Sequence, residues 1–133
     1  MSMVLGPCKN PCGSCPYRKD VPSGVWDESE YDKLPSYDGA TFTQSFALFL
    51  CHQQDGHLCA GWVGCHDMNE TMAMRLAHHR MNDAEIDKTF DYVCPVPLWE
   101  SGQAARDHGM AELEHPTAKA IRVIDKLSSR PRR

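Results

Sequence analysis

The sequence predicts a small, mainly α domain, rich in loops and gathered around a cluster of cysteines. Three observations lead there. At 133 residues the chain has the size of one domain. Its apolar residues recur mostly at helical spacing behind capping signals, and the rest is rich in Gly and Pro. Its seven cysteines and seven histidines are concentrated. Cys12 and Cys15 sit between Pro11 and Pro16, and Cys51, Cys59 and Cys65 share one short stretch with His52, His57 and His66. Thiolates on such turns can converge on one point, as a soft metal requires. A chain this short also gains from a metal staple, so the expected architecture is an α-rich domain around a four-cysteine metal centre.

Residues 1–25 read as a loop wrapped around that centre. Asp27-x-x-Glu30 is a capping-box pattern that opens a helix over residues 28–34, ended before Pro35, with Trp26 placed to pack on Tyr31. Residues 41–51 fit a helical face through Phe42, Phe46, Phe49 and Leu50, and a strand through Phe46, Leu48 and Leu50. The helical reading is preferred, and either one makes the segment core. Residues 53–64 carry three glycines without a usable period and read as a loop. Asp67-x-x-Glu70 opens a helix to about residue 80 with Met68, Met72, Ala73 and Leu76 inward. Asn82-x-x-Glu85 opens another, with Ile86 and Phe90 one turn apart. Residues 93–98 run extended between prolines, and 101–114 are weakly helical. Pro116 begins a last helix to about residue 128. The division expected is a metal-centred domain over 1–115 and an amphipathic basic helix over 116–133.

Composition narrows the function classes. The cysteine count is odd and the first residues lack a basic stretch followed by an apolar one, which argues against secretion. In a reducing cytoplasm, the expected location, clustered cysteines are more often ligands than disulfides. No apolar run is long enough to span a membrane. Residues 1–118 carry eight Lys/Arg against seventeen Asp/Glu, whereas residues 119–133 carry six Lys/Arg against Asp125 alone. An acidic body with a basic tail argues against a general nucleic-acid binder and leaves the tail as a local docking element.

Cys12-x-x-Cys15 is the strongest motif, because two intervening residues let both sulfurs reach one ion and Gly13 permits the bend. A thioredoxin-like redox pair would need a strand–CxxC–helix context that is absent here. Cys51 and Cys59 are the natural second pair. Cys65 competes for a place in the quartet, then Cys8, and Cys94 looks like a core thiol. Cys8, Cys12 and Cys15 also match the C-x3-C-x2-C spacing of radical-SAM enzymes, but the chain is too short for their barrel. A zinc hydrolase needs an open coordination position and a general base, and His52, His57, His66, His78 and His79 do not assemble one. Trp62, in Gly61-Trp62-Val63-Gly64, either shields a thiolate centre from water or is an ordinary core aromatic. Cys15-Pro16, one CxxC pair and two dispersed cysteines suit a [4Fe-4S] cluster, and zinc suits the same ligands. The cluster is preferred.

Cys12-Gly-Ser-Cys15-Pro-Tyr-Arg18, Asp20-Val-Pro22-Ser-Gly24-Val-Trp26, Cys51-His52-Gln53 and Cys59-Ala-Gly61-Trp62 together resemble a small uncharacterised family of actinobacteria and their phages. That resemblance implies Cys12, Cys15, Cys51 and Cys59 as the shared quartet. A weaker similarity is to the WhiB-like iron–sulfur regulators, which join four cysteines, a Gly/Trp turn and a basic C-terminal segment. Here the ligand order differs and the Gly/Trp turn lies inside the cysteine run. The resemblance implies a metal-binding, redox-responsive regulator or adaptor associated with transcription rather than an enzyme. The alternatives are a metalloenzyme using nearby histidines, hydrolase- or nuclease-like, and a structural zinc-binding interaction module. In the last helix Ala118, Ile121, Ile124 and Leu127 recur every third residue as an apolar stripe. Lys119, Arg122, Lys126 and Arg130 fall on a second face, suited to a protein partner such as transcription machinery or to nucleic acid.

Overall fold

The computed structural model describes residues 3–128. Among them the chain forms one small helical domain without a β-sheet. The α-helices are α1 (Glu28–Asp32), α2 (Ala60–Cys65), α3 (Met72–Arg75), α4 (Asp83–Phe90), α5 (Gly102–Met110) and α6 (Ala118–Ser128). Short 3₁₀ turns at Leu34–Tyr37, Thr41–Thr43, Met68–Glu70 and Ala77–His79 link several of them. Trp62, Tyr17, Tyr31, Leu34, Leu58 and Met81 are the largest fully buried side chains and define the core.

Asp27 caps α1 by accepting from the Ser29 N–H at 3.1 Å. The Tyr31 hydroxyl then accepts from both the Val25 and Trp26 amides at 3.1 Å, which fixes the entry of the helix. Pro35 does not end the segment. It sits at the start of the following 3₁₀ turn, where its missing N–H is harmless.

Residues 41–51 depart from the expected core helix. After one 3₁₀ turn the chain is irregular, Phe42 is 78% and Phe46 65% exposed, and Phe49 and Leu48 alone of the expected apolar positions join the core. Gln44 explains the path. Its buried amide donates to the Gly39 and Glu70 carbonyls at 2.9 and 3.0 Å and accepts from the Met72 N–H at 3.1 Å. Three such bonds hold the backbone in a non-helical course that helical spacing alone could not reveal.

The expected helix from Asp67 onward is broken into three pieces. Asp67 caps the first, accepting from the Asn69 N–H at 3.0 Å. Thr71, 2% exposed, then adopts an extended backbone and turns its hydroxyl back onto the Asp67 carbonyl at 2.8 Å. Met68 and Ala73 are buried as expected. Met74, Ala77 and Met81 take the inward places expected of Met72 and Leu76, and Leu76 is exposed. Helix α4 begins where expected, with Asn82 accepting from the Glu85 N–H at 3.0 Å, though Phe90 is exposed at its end.

Helix α5 docks on α1 and on the Leu34–Tyr37 turn through glycine. A Cβ at Gly102 would overlap the Leu34 carbonyl, and one at Gly109 the Tyr31 ring. Asp38 clamps the start of α5, its two carboxylate oxygens accepting from the Gly102 and Gln103 amides at 2.7 Å each. In α6 the packed residues are Ala120, Val123, Ile124 and Leu127, against Val21, Val25 and Trp26. The expected stripe at every third residue is thereby corrected: Ile121 is exposed and Ala118 outward. Steps of three drift by about 60° each around a 3.6-residue turn, so only a mixed three–four spacing keeps one face inward. Lys119, Arg122 and Lys126 are exposed, and Arg130 lies outside the described residues.

Candidate metal centre

Two short backbone constructions deliver the cysteines. In the first, the Cys15 N–H donates to the Cys12 carbonyl at 3.0 Å and the Arg18 N–H to the Cys15 carbonyl at 3.1 Å, so the CxxC segment turns twice. Gly13 does not owe its place to the bend: its backbone is not left-handed, and a Cβ there would touch nothing within 4 Å. In the second, residues 56–59 run between residue 5 and residues 49–51. Leu58 N–H donates to the Leu5 carbonyl and Cys51 N–H to the His57 carbonyl, both at 2.9 Å, and Cys59 N–H to the Phe49 carbonyl at 2.8 Å. Gly56, with φ of 79°, makes the reversal between them, a conformation that favours glycine. Cys51 and Cys59 therefore emerge from opposite ends of one turn.

The four expected ligands lie together in the core, at 0% exposure for Cys15, 2% for Cys59, 8% for Cys12 and 9% for Cys51. They stand as two pairs. The Cys15 and Cys59 sulfurs are 3.6 Å apart, and Cys12 and Cys51 are near enough that each shifts the other's pKa. Among the described residues no three His, Cys, Asp or Glu side chains already stand in a geometry that holds a metal ion.

In each pair the pKa of one thiol is lowered and that of the other raised. Cys51 is lowered from 9.0 to about 6, mainly by the hydrogen bond from Cys12, with help from the Gln53 and Gln54 amides. Cys15 is lowered by the bond from Cys59, with help from the Tyr17 and Arg18 amides. Cys12 and Cys59 are raised, chiefly by their role as donors and then by burial. Cys15 and Cys51 thus share one device, a sulfur accepting from the amides two and three residues ahead. Such N–H···S bonds stabilise a thiolate in the absence and in the presence of a metal.

A pH dependence follows for metal-free protein. A thiol whose folded pKa is depressed adds stability as pH rises from that value towards the unfolded one, and loses it on acidification. Cys51 therefore adds stability between about pH 6 and pH 9. The raised pKa of Cys12 acts oppositely, and its contribution is lost above pH 9. Urea unfolding of metal-free protein is expected to show stability climbing from pH 6 towards 9 and declining beyond. A flat or inverted profile would contradict the pairing.

Gly61, at the second position of α2, brings that helix onto the centre. A Cβ there would collide with the Cys15 sulfur and would come within 2.8 Å of the Tyr17 Cβ. Alanine is favoured over glycine in helices by about 1 kcal/mol, but overpacking costs about 1–3 kcal/mol and here displaces a ligand sulfur. Gly61→Ala is expected to weaken both metal retention and stability, and Gly13→Ala neither; equal behaviour of the two would refute the close approach. Ser14, Gln53 and Gln54 were not expected at the site. Ser14 Oγ lies 3.7 Å from the Cys12 sulfur and is bonded by the Gln53 amide, and the Gln54 N–H reaches the Cys51 sulfur at 3.2 Å. Their adjacency to cysteines was the only sequence signal available.

The remaining candidates are placed elsewhere. Trp62, fully buried, packs edge-on to Tyr37 at 5.3 Å and stacks on Phe49 at 6.5 Å. Its indole N–H has no partner among the described residues. His52 stacks on Trp26 and directs Nε2 to Glu30 at 2.6 Å. His66 lies between the Tyr17 hydroxyl at 3.4 Å and Asp38 at 3.9 Å, and burial lowers its pKa. His57 contacts the Gly6 carbonyl at 2.8 Å. Cys65 and Cys94 line a separate cleft of about 580 Å³ with Trp99 and Glu100. Burial, then Asp38, pushes the Cys65 thiol up to about 12. Cys8 and Cys12 share a second cavity of about 470 Å³ with Gln53 and Gln54.

No curated protein and no solved structure matches this chain. Residues 7–124, which include all seven cysteines, do match a described family, and the chain belongs to it: the family of unknown function DUF6283.

Proposed function

We propose that this protein is a non-enzymatic metal-binding interaction module, in which Cys12, Cys15, Cys51 and Cys59 hold one tetrahedral divalent ion, zinc in the first place. The observation that carries the reading is the joint burial of four cysteines from two separate turns, with the Cys15 and Cys59 sulfurs 3.6 Å apart. A divalent cation on four thiolates displaces whatever protons the cysteines still carry, and the lowered pKa of Cys15 and of Cys51 reduces that cost. The 3.6 Å between the Cys15 and Cys59 sulfurs is close to the ~3.8 Å edge of a tetrahedron with Zn–S of ~2.3 Å. A four-iron cluster seats each thiolate on a different iron and spreads the sulfurs farther apart, so this spacing favours a single ion over the cluster expected from the motif.

His52 and His66 are engaged by Glu30, Tyr17 and Asp38, which supports a closed four-sulfur site over a metalloenzyme with a histidine ligand. The exposed cations Lys119, Arg122 and Lys126, on a helix seated by Ala120, suit docking to an acidic surface of a protein or to nucleic-acid phosphate. Anaerobic purification followed by metal analysis and an absorption spectrum tests the centre. The expected result is a colourless protein with one zinc per chain. A brown protein containing iron would restore the cluster on the same ligands, and absence of bound metal would end the reading. For the docking face, Lys119→Glu, Arg122→Glu and Lys126→Glu together are expected to abolish any salt-sensitive binding to polyanions or acidic peptides while leaving metal content intact. Undiminished binding would place the contact elsewhere.

A further inference from the structure

Cys8, outside the quartet, shares a cavity with one of its members, Cys12. Cys8 is half-buried, lies four residues before Cys12 on the same loop, and lines with it the 470 Å³ cavity closed by Lys9, Asn10, Pro11, Gly13, Gln53 and Gln54. The other two thiols beyond the quartet, Cys65 and Cys94, line a different cleft. Gln54 also ties the rim of this cavity to the centre, since its N–H bonds the Cys51 sulfur and its side chain the Asn10 carbonyl. A small oxidant in this cavity meets Cys12 and Cys8 together and reaches Cys15 and Cys59 only through the buried core.

We infer that Cys8 is the resolving thiol of the centre, joining Cys12 in a disulfide when a hydroperoxide enters this cavity, and that the bond releases the metal. The inference rests on the thiolate centre proposed above. The chemistry is a two-electron oxidation in two steps. Cys12, which gives up its proton on joining the metal centre, attacks the hydroperoxide through its sulfur, the O–O bond breaks, and Cys12 becomes a sulfenic acid as hydroxide or alkoxide leaves. The Cys8 sulfur then attacks the Cys12 sulfur, the S–O bond breaks, and the Cys8 proton leaves with the oxygen as water. The two thiols supply the electrons that reduce the peroxide. With Cys12 withdrawn, three ligands remain and the ion dissociates from an open site.

The experiment uses zinc-loaded full-length protein treated with hydrogen peroxide, with a chromogenic chelator reporting zinc and peptide mass spectrometry mapping the disulfides. Wild type is expected to release zinc with a Cys8–Cys12 bond as the first disulfide formed. Cys8→Ser is expected to bind zinc as wild type does and to release it at least about tenfold more slowly. Equal release rates, or a first disulfide of any other composition, would overturn the role of Cys8. Zinc content before peroxide and disulfide mapping after it separate the two readings. A chain that takes up no zinc yet forms Cys8–Cys12 loses the metal centre and keeps the resolving thiol. A chain that binds zinc and forms another disulfide keeps the centre and loses the resolving thiol.

Discussion

Replacing any one of Cys12, Cys15, Cys51 or Cys59 with serine is expected to leave the metal unbound and to remove a large part of the chain's stability. A structural zinc site contributes about 10–16 kcal/mol of folding free energy, or roughly 2.5–4 kcal/mol for each of four ligands. Whole domains have about 5–15 kcal/mol of net stability, so losing one ligand consumes much of it. The buried partner makes matters worse: Cys15→Ser leaves Cys59 without the sulfur it bonds at 3.6 Å, and Cys51→Ser leaves Cys12 likewise. Cys94→Ser is the control. That thiol is half-buried and points to the Val96 carbonyl at 3.4 Å, a bond that a hydroxyl can replace, so a loss of about 1 kcal/mol or less is expected. Chemical unfolding with and without a chelator reads both effects. Quartet variants that unfold like Cys94→Ser would contradict the centre. Cys65→Ser behaving as a quartet variant would place Cys65 among the ligands.

The second large effect is at Trp62. Truncation to alanine removes the largest fully buried side chain from between Tyr37 and Phe49, and about 3–5 kcal/mol is expected to be lost. Trp62→Phe should behave differently. It vacates some volume, yet it also removes a buried indole N–H that has no acceptor, whose desolvation costs about 1–3 kcal/mol. The two changes oppose, so a net loss below about 1.5 kcal/mol with zinc retained is expected. Thermal or urea unfolding combined with metal analysis decides. Were Trp62→Phe to hold its stability but shed zinc rapidly, the indole would be a shield of the centre and not chiefly a core residue.

The CxxC turn between Pro11 and Pro16 was legible in the sequence, and the family resemblance singled out Cys51 and Cys59 beside it; the structure buries these four thiols, with Gly56 reversing the chain between the last two. The caps were equally plain: Asp27, Asp67 and Asn82 each accept the amide their position requires. The failures share a cause in long-range side-chain bonds. Gln44 reaches Gly39, Glu70 and Met72 and pulls residues 41–51 out of a helix. Thr71 folds back on Asp67 and splits the next one. Gly61 looks like a helix breaker in isolation and proves to be the point where α2 meets the Cys15 sulfur. None of these partners is readable from a local window.

The most direct test of the central claim is X-ray absorption at the zinc edge on the purified full-length protein. Four sulfur ligands at about 2.3 Å, with no light-atom scatterer in the first shell, are expected. A first shell containing nitrogen or oxygen, or a protein that carries no zinc to measure, would contradict it.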